Sequence, residues 1–148
     1  MLTNKGKYGL KALVHLAGLA PETTRSVVDV ATAEHIPKKF LDAILLDLRN
    51  AGFVRSKKGP GGGYALARPA AEIVIGAVVR ALDGPLAPIA CASRTAYRPC
   101  DDCDDLAGCA VRLVMSEVRD AVAATLDHTT LADMVARSAR PVAEPTAS

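Results

Sequence analysis

The start of the chain carries apolar side chains at helical spacing, and this pattern stops at Pro21. It predicts a first helix from about Lys5 to Leu19. Ser26 is a suitable N-cap for a second, short helix, because Asp29 stands three residues later in the capping-box position. Two helices in quick succession are therefore expected in the first part of the chain.

A third helix is predicted after Pro37, which is favoured in a first helical turn. Gly52 suits the position just beyond its end, where a left-handed backbone conformation is common. The apolar face of this helix is expected to carry Phe40, Leu41, Ile44, Leu45 and Leu48. The second and third helices, joined by a tight turn at His35 and Ile36, form a predicted helix-turn-helix.

Residues 53–67 follow the order strand, glycine-rich turn, strand. The strands are predicted at Phe53–Ser56 and Gly63–Ala67, with Lys57 and Lys58 in the turn between them. Glycines allow the backbone of such a turn to adopt positive φ and to approach another surface closely. A hairpin directly after a helix-turn-helix is the wing of a winged helix, and residues 53–67 are therefore assigned as the wing.

Helical periodicity returns twice after the wing. A buried helix is predicted from Ile73 to Leu82, and a long helix begins at Ala110, with apolar residues in steps of three and four. Such a seam is typical of a helix that pairs with a second chain, although packing on its own domain is the alternative interpretation. Thr130 and Asp133 are expected to cap a last short helix, and residues 139–148 to form a disordered tail.

The composition favours a mainly helical protein with one basic part. Half of the 148 residues are apolar but only 3% are aromatic, so the core must consist of aliphatic side chains, which suit closely packed helices. Residues 1–68 carry 11 Lys and Arg against 5 Asp and Glu, a net charge of +6, whereas residues 69–148 carry 7 against 11, a net of −4. The basic part is the candidate surface for a polyanion such as nucleic acid.

These patterns predict the fold class and the division of the chain. The expected fold is mainly α with a small β-hairpin: a winged helix-turn-helix DNA-binding domain plus a long C-terminal dimerisation helix. Residues 1–82 form the DNA-binding domain, residues 83–109 a cysteine-containing sensor loop, and residues 110–138 the dimerisation helix with the short last helix. No segment approaches the roughly 20 apolar residues that span a membrane. Without an export signal, a cytoplasmic protein is expected.

All four cysteines lie within nineteen positions, from Cys91 to Cys109. Thiols stay reduced in the cytoplasm, which disfavours a structural disulfide and leaves an iron-sulfur cluster, zinc or a thiol switch. Four thiolates satisfy a tetrahedral zinc site, but standard zinc modules contain two Cys-x2-Cys pairs and this loop contains one. Four aspartates lie within two residues of Cys103 and oppose thiolate formation, so we expect the empty loop to be extended until a cation neutralises it.

Three motifs resemble the Rrf2 family of bacterial winged-helix regulators, and the resemblance extends from Leu2 to about Arg137. They are Thr3-x-Lys-Gly-x-Tyr8, Gly59-Pro-Gly-Gly-Gly-Tyr-x-Leu66 and Cys103-x5-Cys109. The resemblance implies a homodimeric transcription factor, which we expect to be a repressor, bound to a palindromic operator in double-stranded DNA. An enzyme is not expected, because the sequence shows no constellation of nucleophile and base. A protein-interaction module without DNA binding is the alternative from a different class.

The helix-turn-helix predicts which side chains contact DNA. Lys38 and Lys39 lie at the N-terminal end of its second helix, which enters the major groove in this motif. Asp42, one turn later, is similar in position to an acidic residue of the family that accepts from a cytosine amino group; a solvated surface carboxylate is the alternative. Lys57 and Lys58 at the wing tip are expected to contact phosphates or the adjacent minor groove.

Two more basic residues complete the predicted DNA-binding set. Lys5 and Arg49 are expected to contact phosphates, with simple solvation as the alternative for each. The aromatic side chains of Tyr8, Phe40 and Tyr64 are expected in the core rather than stacked on bases.

The resemblance also implies the ligands of an iron-sulfur cluster. Family members that bind a cluster use three cysteines of this loop. The matching positions here are Cys91, Cys103 and Cys109. The fourth ligand of such members is a histidine or an acidic residue, but Arg112 and Lys7 stand at the two matching positions, and neither ligates iron at neutral pH. Cys100 is the candidate fourth ligand, and the alternatives are one of the four neighbouring aspartates or a set of three cysteines alone. The cluster type, 2Fe-2S or 4Fe-4S, stays open. Zinc, thiol oxidation or a small metabolite are the alternative signals for the same regulator.

Overall fold

The computed structural model describes residues 2–101 and 108–138. Within these ranges the elements are α1 (Asn4–Ala17), α2 (Val27–Glu34), α3 (Lys38–Asn50), β1 (Val54–Lys57), β2 (Gly63–Leu66), α4 (Ile75–Asp83), α5 (Ala110–Leu126) and α6 (Leu131–Ser138). Short 3₁₀ turns lie at Ala70–Glu72 and Ala90–Ala92. The predicted fold class, mainly helical with one antiparallel hairpin, is confirmed. The predicted tail, residues 139–148, lies outside the described residues.

Local capping signals set the ends of the helix-turn-helix. Ser26 Oγ accepts a hydrogen bond from the backbone N–H of Asp29 at 3.1 Å, which confirms the predicted N-cap of α2. His35 ends α2 in a left-handed conformation, with φ at 56°. Gly52 follows the end of α3 at φ 86°, a conformation that favours glycine. Pro37, expected in the first turn of α3, lies one residue earlier, at the N-cap.

The hydrophobic core lies where α1, α3 and α4 meet. Its largest fully buried side chains include Leu13, Leu41, Ile44, Leu45, Leu48, Ile75 and Val78. Truncating a buried leucine or isoleucine to alanine typically destabilises a protein by about 2–5 kcal/mol. Gly9 of α1 faces Leu82 of α4 so closely that a Cβ at this position would overlap the leucine side chain. The absence of a side chain at Gly9 therefore lets the two helices pack together.

Phe40 does not join this core, contrary to the prediction. It is 39% exposed and packs edge-on against Tyr8, with 5.6 Å between the ring centroids. Successive residues of a helix are rotated by about 100°, so Phe40 lies at the margin of the stripe formed by Ile44 and Leu48. Tyr8 and Tyr64 are half-buried against the core, as predicted.

Side-chain hydrogen bonds attach the end of α5 to α4 and cap the start of α6. Asp127 lies just after the end of α5, and its carboxylate accepts two hydrogen bonds from Arg80 of α4, at 2.6 and 2.8 Å. These bonds hold the pKa of Asp127 below its usual value and raise that of Arg80. Thr130 and Asp133 cap α6 reciprocally at 2.9 and 3.1 Å, which confirms the predicted capping box. Across the described ranges, every helix is too short or too polar to cross a membrane.

Candidate nucleic-acid interface and cysteine loop

The N-terminal end of α3 presents a basic surface. Lys38 and Lys39 occupy its first two positions and are exposed. Lys38 Nζ donates to Asp42 Oδ2 at 2.9 Å, and both side chains are about half exposed, at 56% and 45%. An exposed pair with this i, i+4 spacing contributes only about 0.3–0.5 kcal/mol. A nucleic-acid group that competes for either side chain can therefore displace it at little cost.

The wing is held against the segment that precedes α2. β1 and β2 pair antiparallel, with Lys57 opposite Gly63 at the tip end. Arg25 and Tyr64 exchange two backbone hydrogen bonds, at 2.9 and 2.8 Å. Gly63 has φ at 154°, and a Cβ on it would overlap the Arg25 carbonyl oxygen. Glycine is therefore required where the wing meets the helix-turn-helix.

The wing tip has a second attachment. Thr24 Oγ1 donates to the Gly61 carbonyl at 2.8 Å, while Gly59 and Gly61 adopt left-handed φ values of 95° and 71°. Lys57 and Lys58 are exposed beside this turn. Sequence reasoning missed Thr24, because its hydroxyl meets a carbonyl 37 positions away and no local motif marks such a contact.

The two other predicted phosphate contacts lie away from the start of α3. Lys5 Nζ forms an ion pair with Asp47 Oδ2 at 2.7 Å, with side chains 36% and 43% exposed. This pair joins α1 to α3 and partly neutralises Lys5. Arg49 is exposed in the last turn of α3, roughly 16 Å along the helix axis from Lys38 at 1.5 Å per residue. The structure therefore separates Arg49 from the lysine pair at the other end of α3.

The cysteine loop brings two sulfur atoms together. Cys91 lies in the 3₁₀ turn Ala90–Ala92 and is 3% exposed, whereas Cys100 is half-buried. Their Sγ atoms are 3.9 Å apart, well beyond the roughly 2.05 Å of a disulfide bond. A hydrogen bond from Arg98 N to the Ala90 carbonyl, at 3.2 Å, turns the chain back between them. The cluster predicted from the sequence requires these thiols to lie close together, whereas the separation of their sulfur atoms depends on how the loop folds.

The other two cysteines are placed less completely. Cys109 is the N-cap of α5, and its Sγ accepts from Arg112 N at 3.5 Å. Cys103, with the predicted effect of its neighbouring aspartates, lies outside the described residues. Within residues 2–101 and 108–138, no group of three or more His, Cys, Asp or Glu side chains is arranged to hold a metal ion. The described part therefore contains three of the four candidate ligands and brings Cys91 and Cys100 together.

Two arginines of α5 hold the loop by its backbone. Arg112 Nε donates to the Cys91 carbonyl at 3.0 Å, and Arg119 donates to the carbonyl of Ala92. In the sequence, Arg112 stands out only as a residue that cannot ligate iron. Its position in the fold adds a structural role, because it links the backbone of a candidate ligand directly to the long helix.

A third contact between the loop and α5 is electrostatic. Arg94 of the loop reaches Asp120 Oδ1 at 3.3 Å, and Arg119 reaches the same oxygen at 2.8 Å. The hydrogen bond from Arg119, with a smaller contribution from Arg94, holds the pKa of Asp120 below its usual value. The carboxylate of Asp120 therefore links Arg94 of the loop to Arg119 of α5.

A helix-turn-helix with an attached basic wing, followed by a long helix, defines the class of winged-helix transcriptional regulators. The family model described as Rrf2, iron-dependent transcriptional regulator, matches residues 2–137. An rrf2-like HTH-type transcriptional regulator of Rhodobacter capsulatus is 46% identical over 139 residues, which cover 92% of this chain and 93% of the relative. The protein belongs to the Rrf2 family of transcriptional regulators.

Solved structures of other regulators have a similar fold. CymR (YrzC), described as the global cysteine regulator of B. subtilis, is 31% identical with a TM-score of 0.75, over 93% of this chain and 97% of CymR. IscR of T. potens is 28% identical with a TM-score of 0.73, over 93% of this chain and 88% of IscR. The predicted family and fold are confirmed. This is a family of transcriptional regulators rather than enzymes, and membership implies DNA binding.

Proposed function

We propose that the protein is a homodimeric repressor of a palindromic operator, and that an iron-sulfur cluster in the cysteine loop sets its affinity for DNA. The proposed ligands are Cys91, Cys103, Cys109 and Cys100. The observation that carries the proposal is the contact of the loop with α5, above all the 3.0 Å hydrogen bond from Arg112 to the Cys91 carbonyl. Any ligand that reshapes the loop acts on the long helix through this contact.

The described thiols are compatible with a metal centre. Two sulfur atoms on one tetrahedral metal, each at 2.3 Å, are about 3.8 Å apart, and the sulfurs of Cys91 and Cys100 are 3.9 Å apart. Four thiolates are the usual complement of 2Fe-2S and 4Fe-4S clusters, and this loop contains four cysteines. A bound cluster would supply a centre whose loss or oxidation reports iron supply or oxidants. The same spacing suits zinc, which is the competing metal.

A chain of contacts connects the cysteine loop to the helix-turn-helix through α5 and α4. Arg112, Arg119 and Asp120 connect the loop to α5. The bidentate pair of Arg80 with Asp127 connects the end of α5 to α4. Since α4 packs on α1 and α3, a movement of the loop can alter the orientation of the helix-turn-helix relative to α5.

The surface of α5 supports a homodimer. None of its residues is fully buried. Val111, Val114 and Val118 lie on one face and are 60%, 53% and 40% exposed, whereas Leu113, which is 51% exposed, lies about 100° or more around the helix from them. An apolar cavity of about 530 Å³ lies beside it, bounded by residues that include Leu10, Val122 and Met134. Contiguous exposed apolar surface is typical of an interaction site. We propose that α5 of a second copy covers this surface.

The proposed DNA contacts follow from the two basic surfaces. Lys38, Lys39 and Asp42 at the start of α3 read the major groove. Lys57 and Lys58 at the wing tip contact phosphates at the adjacent minor groove. The contacts of Lys5 and Arg49 with phosphates complete the set.

The deciding experiment is an absorption spectrum of anaerobically purified protein, with iron, sulfide and zinc determined on the same sample. Operator affinity is then measured for the loaded and the metal-stripped protein at one salt concentration. We expect a coloured, iron- and sulfide-containing protein whose affinity changes on stripping. A colourless, iron-free protein that takes up no cluster on reconstitution and still binds its operator fully would contradict the proposal. A stoichiometric amount of zinc in place of iron would show that the loop binds zinc and no cluster.

A further inference from the structure

We infer that Cys100 and Cys91 form a peroxide-reactive pair, which a hydroperoxide converts into an intramolecular disulfide when the loop carries no metal. The inference deepens the proposed function, because the same two thiols are proposed cluster ligands. The disulfide itself follows from the geometry of the pair. Only its effect on cluster loading rests on the proposed function.

The distance between the two sulfur atoms is the first argument. They are 3.9 Å apart, so a movement of about 1.9 Å brings them to the length of a disulfide bond. The loop between them is already folded back, since Arg98 N donates to the Ala90 carbonyl at 3.2 Å and Ala96 N to Ser93 Oγ at 2.9 Å. Closure therefore needs a local adjustment and no new path of the chain.

The two cysteines are unequal in exposure and attachment. Cys91 is 3% exposed, and hydrogen bonds from Arg112 and Arg119 fix its own carbonyl and that of the next residue. Cys100 is half-buried and nine residues later in the chain. A hydroperoxide in solvent reaches Cys100 first, and Cys100 is the residue that moves. Cys91 acts as the resolving thiol.

The chemistry balances with one hydroperoxide. The Cys100 thiolate attacks the peroxide, so that an S–O bond forms, the O–O bond breaks and the departing oxygen takes up a proton as water. The Cys91 thiolate then attacks the resulting sulfenic acid, forming the S–S bond and releasing hydroxide, which is protonated to a second water. With hydrogen peroxide, two thiols and one peroxide give one disulfide and two waters, and two electrons pass from sulfur to oxygen.

Oxidation would remove two of the four proposed ligands at once. The remaining thiols, Cys103 and Cys109, are fewer than the four that usually hold a cluster. Oxidised protein that has lost its cluster would therefore reload only after a reductant has opened the disulfide. The pair would thereby keep the regulator in its metal-free state while peroxide persists.

Peptide mapping tests the disulfide directly. The full chain is stripped of metal, reduced, treated with one equivalent of hydrogen peroxide, and its remaining thiols are alkylated. Trypsin and Asp-N together separate the four cysteines, because Arg94 lies between Cys91 and Cys100, and Asp101 and Asp104 follow Cys100 and Cys103. We expect the thiol count to fall from four to two per chain, with a Cys91–Cys100 link as the main product.

Two matched variants sharpen the test. Cys100→Ser should lose the link and keep its three thiols, whereas Cys103→Ser should form the same link and fall from three thiols to one. A main link that involves Cys103 or Cys109, a link between two chains, or four surviving thiols would overturn the inference.

Iron and sulfide are then added to reduced and to peroxide-treated protein. The inferred effect is supported if only the reduced protein takes up iron and sulfide, and if the peroxide-treated protein does so after dithiothreitol has been added. Equal uptake by the two samples overturns it. If neither form loads, the proposed cluster fails, while the peptide map still decides the disulfide.

Discussion

Replacing Lys58 with alanine tests whether the wing tip contacts the DNA backbone. Lys58 is exposed beside the wing turn, and a hydrogen bond from Thr24 to the Gly61 carbonyl stabilises the backbone of this turn. Substitution of such a surface residue should change the free energy of unfolding by less than about 0.5 kcal/mol. A change in DNA affinity would then reflect the lost charge and not a loss of fold.

The expected size follows from counterion release. Each neutralised phosphate contributes about 0.9 to the slope of log affinity against log salt concentration, so a dimer that lacks two lysine contacts should have a slope smaller by about 1.8. Between 50 and 200 mM salt, the logarithm of the concentration changes by about 0.6. The unmodified protein should therefore lose about tenfold more affinity than Lys58→Ala over this range.

Fluorescence anisotropy with a labelled operator duplex, measured at several salt concentrations in this range, provides the assay. Arg137→Ala is the matched control, because it removes one exposed positive charge from the last turn of α6. An unchanged slope for Lys58→Ala would refute the proposed wing contact. An equal reduction for both variants would show that net charge alone, and not the position of Lys58, governs the effect.

Three further substitutions test the structure around these sites. Gly63→Ala sets a Cβ against the Arg25 carbonyl at φ 154°, and urea unfolding should show a loss of about 1–3 kcal/mol. Asp127→Asn should cost about 1 kcal/mol at neutral pH, a value reduced for side chains that are 35% exposed. The Arg80 hydrogen bond lowers the pKa of Asp127 in the folded protein, so the stabilisation is complete above the ordinary pKa of 3.8. It is lost as the pH falls through the lowered pKa of the folded state, and acid should therefore abolish the difference in stability between the two proteins. Arg112→Ala removes the donor to the Cys91 carbonyl and should reduce the operator-affinity ratio of loaded to metal-stripped protein about tenfold; an unchanged ratio would exclude this path.

The helix-turn-helix and the wing could be predicted because their signals are local. The Ser26 cap bonds to a residue three positions away, and Gly52 ends α3 through its own backbone conformation. The glycines of the wing turn act in the same way. Such signals involve neighbours in the chain, so the residue types and their spacing were sufficient.

The environment of individual side chains was harder to predict. Phe40 has the hydrophobicity of a core residue, but its place at the margin of the α3 stripe leaves it 39% exposed. The charge of Lys5 indicates its proposed phosphate contact, but it does not indicate the 2.7 Å ion pair with Asp47 on another helix. Composition and periodicity do not report such partners, because the partners come from distant parts of the chain.

The cysteine loop shows the same division most clearly. The order of residues is enough to show that four thiols lie in one segment between the wing and a long helix, and that neither Arg112 nor Lys7 can complete a set of iron ligands. The folded loop sets the 3.9 Å between the sulfur atoms of Cys91 and Cys100, and it places the Cys91 carbonyl against Arg112 of α5. The reason is physical: the chain sets which groups are available, whereas the packing of the loop on α5 sets the distances between them.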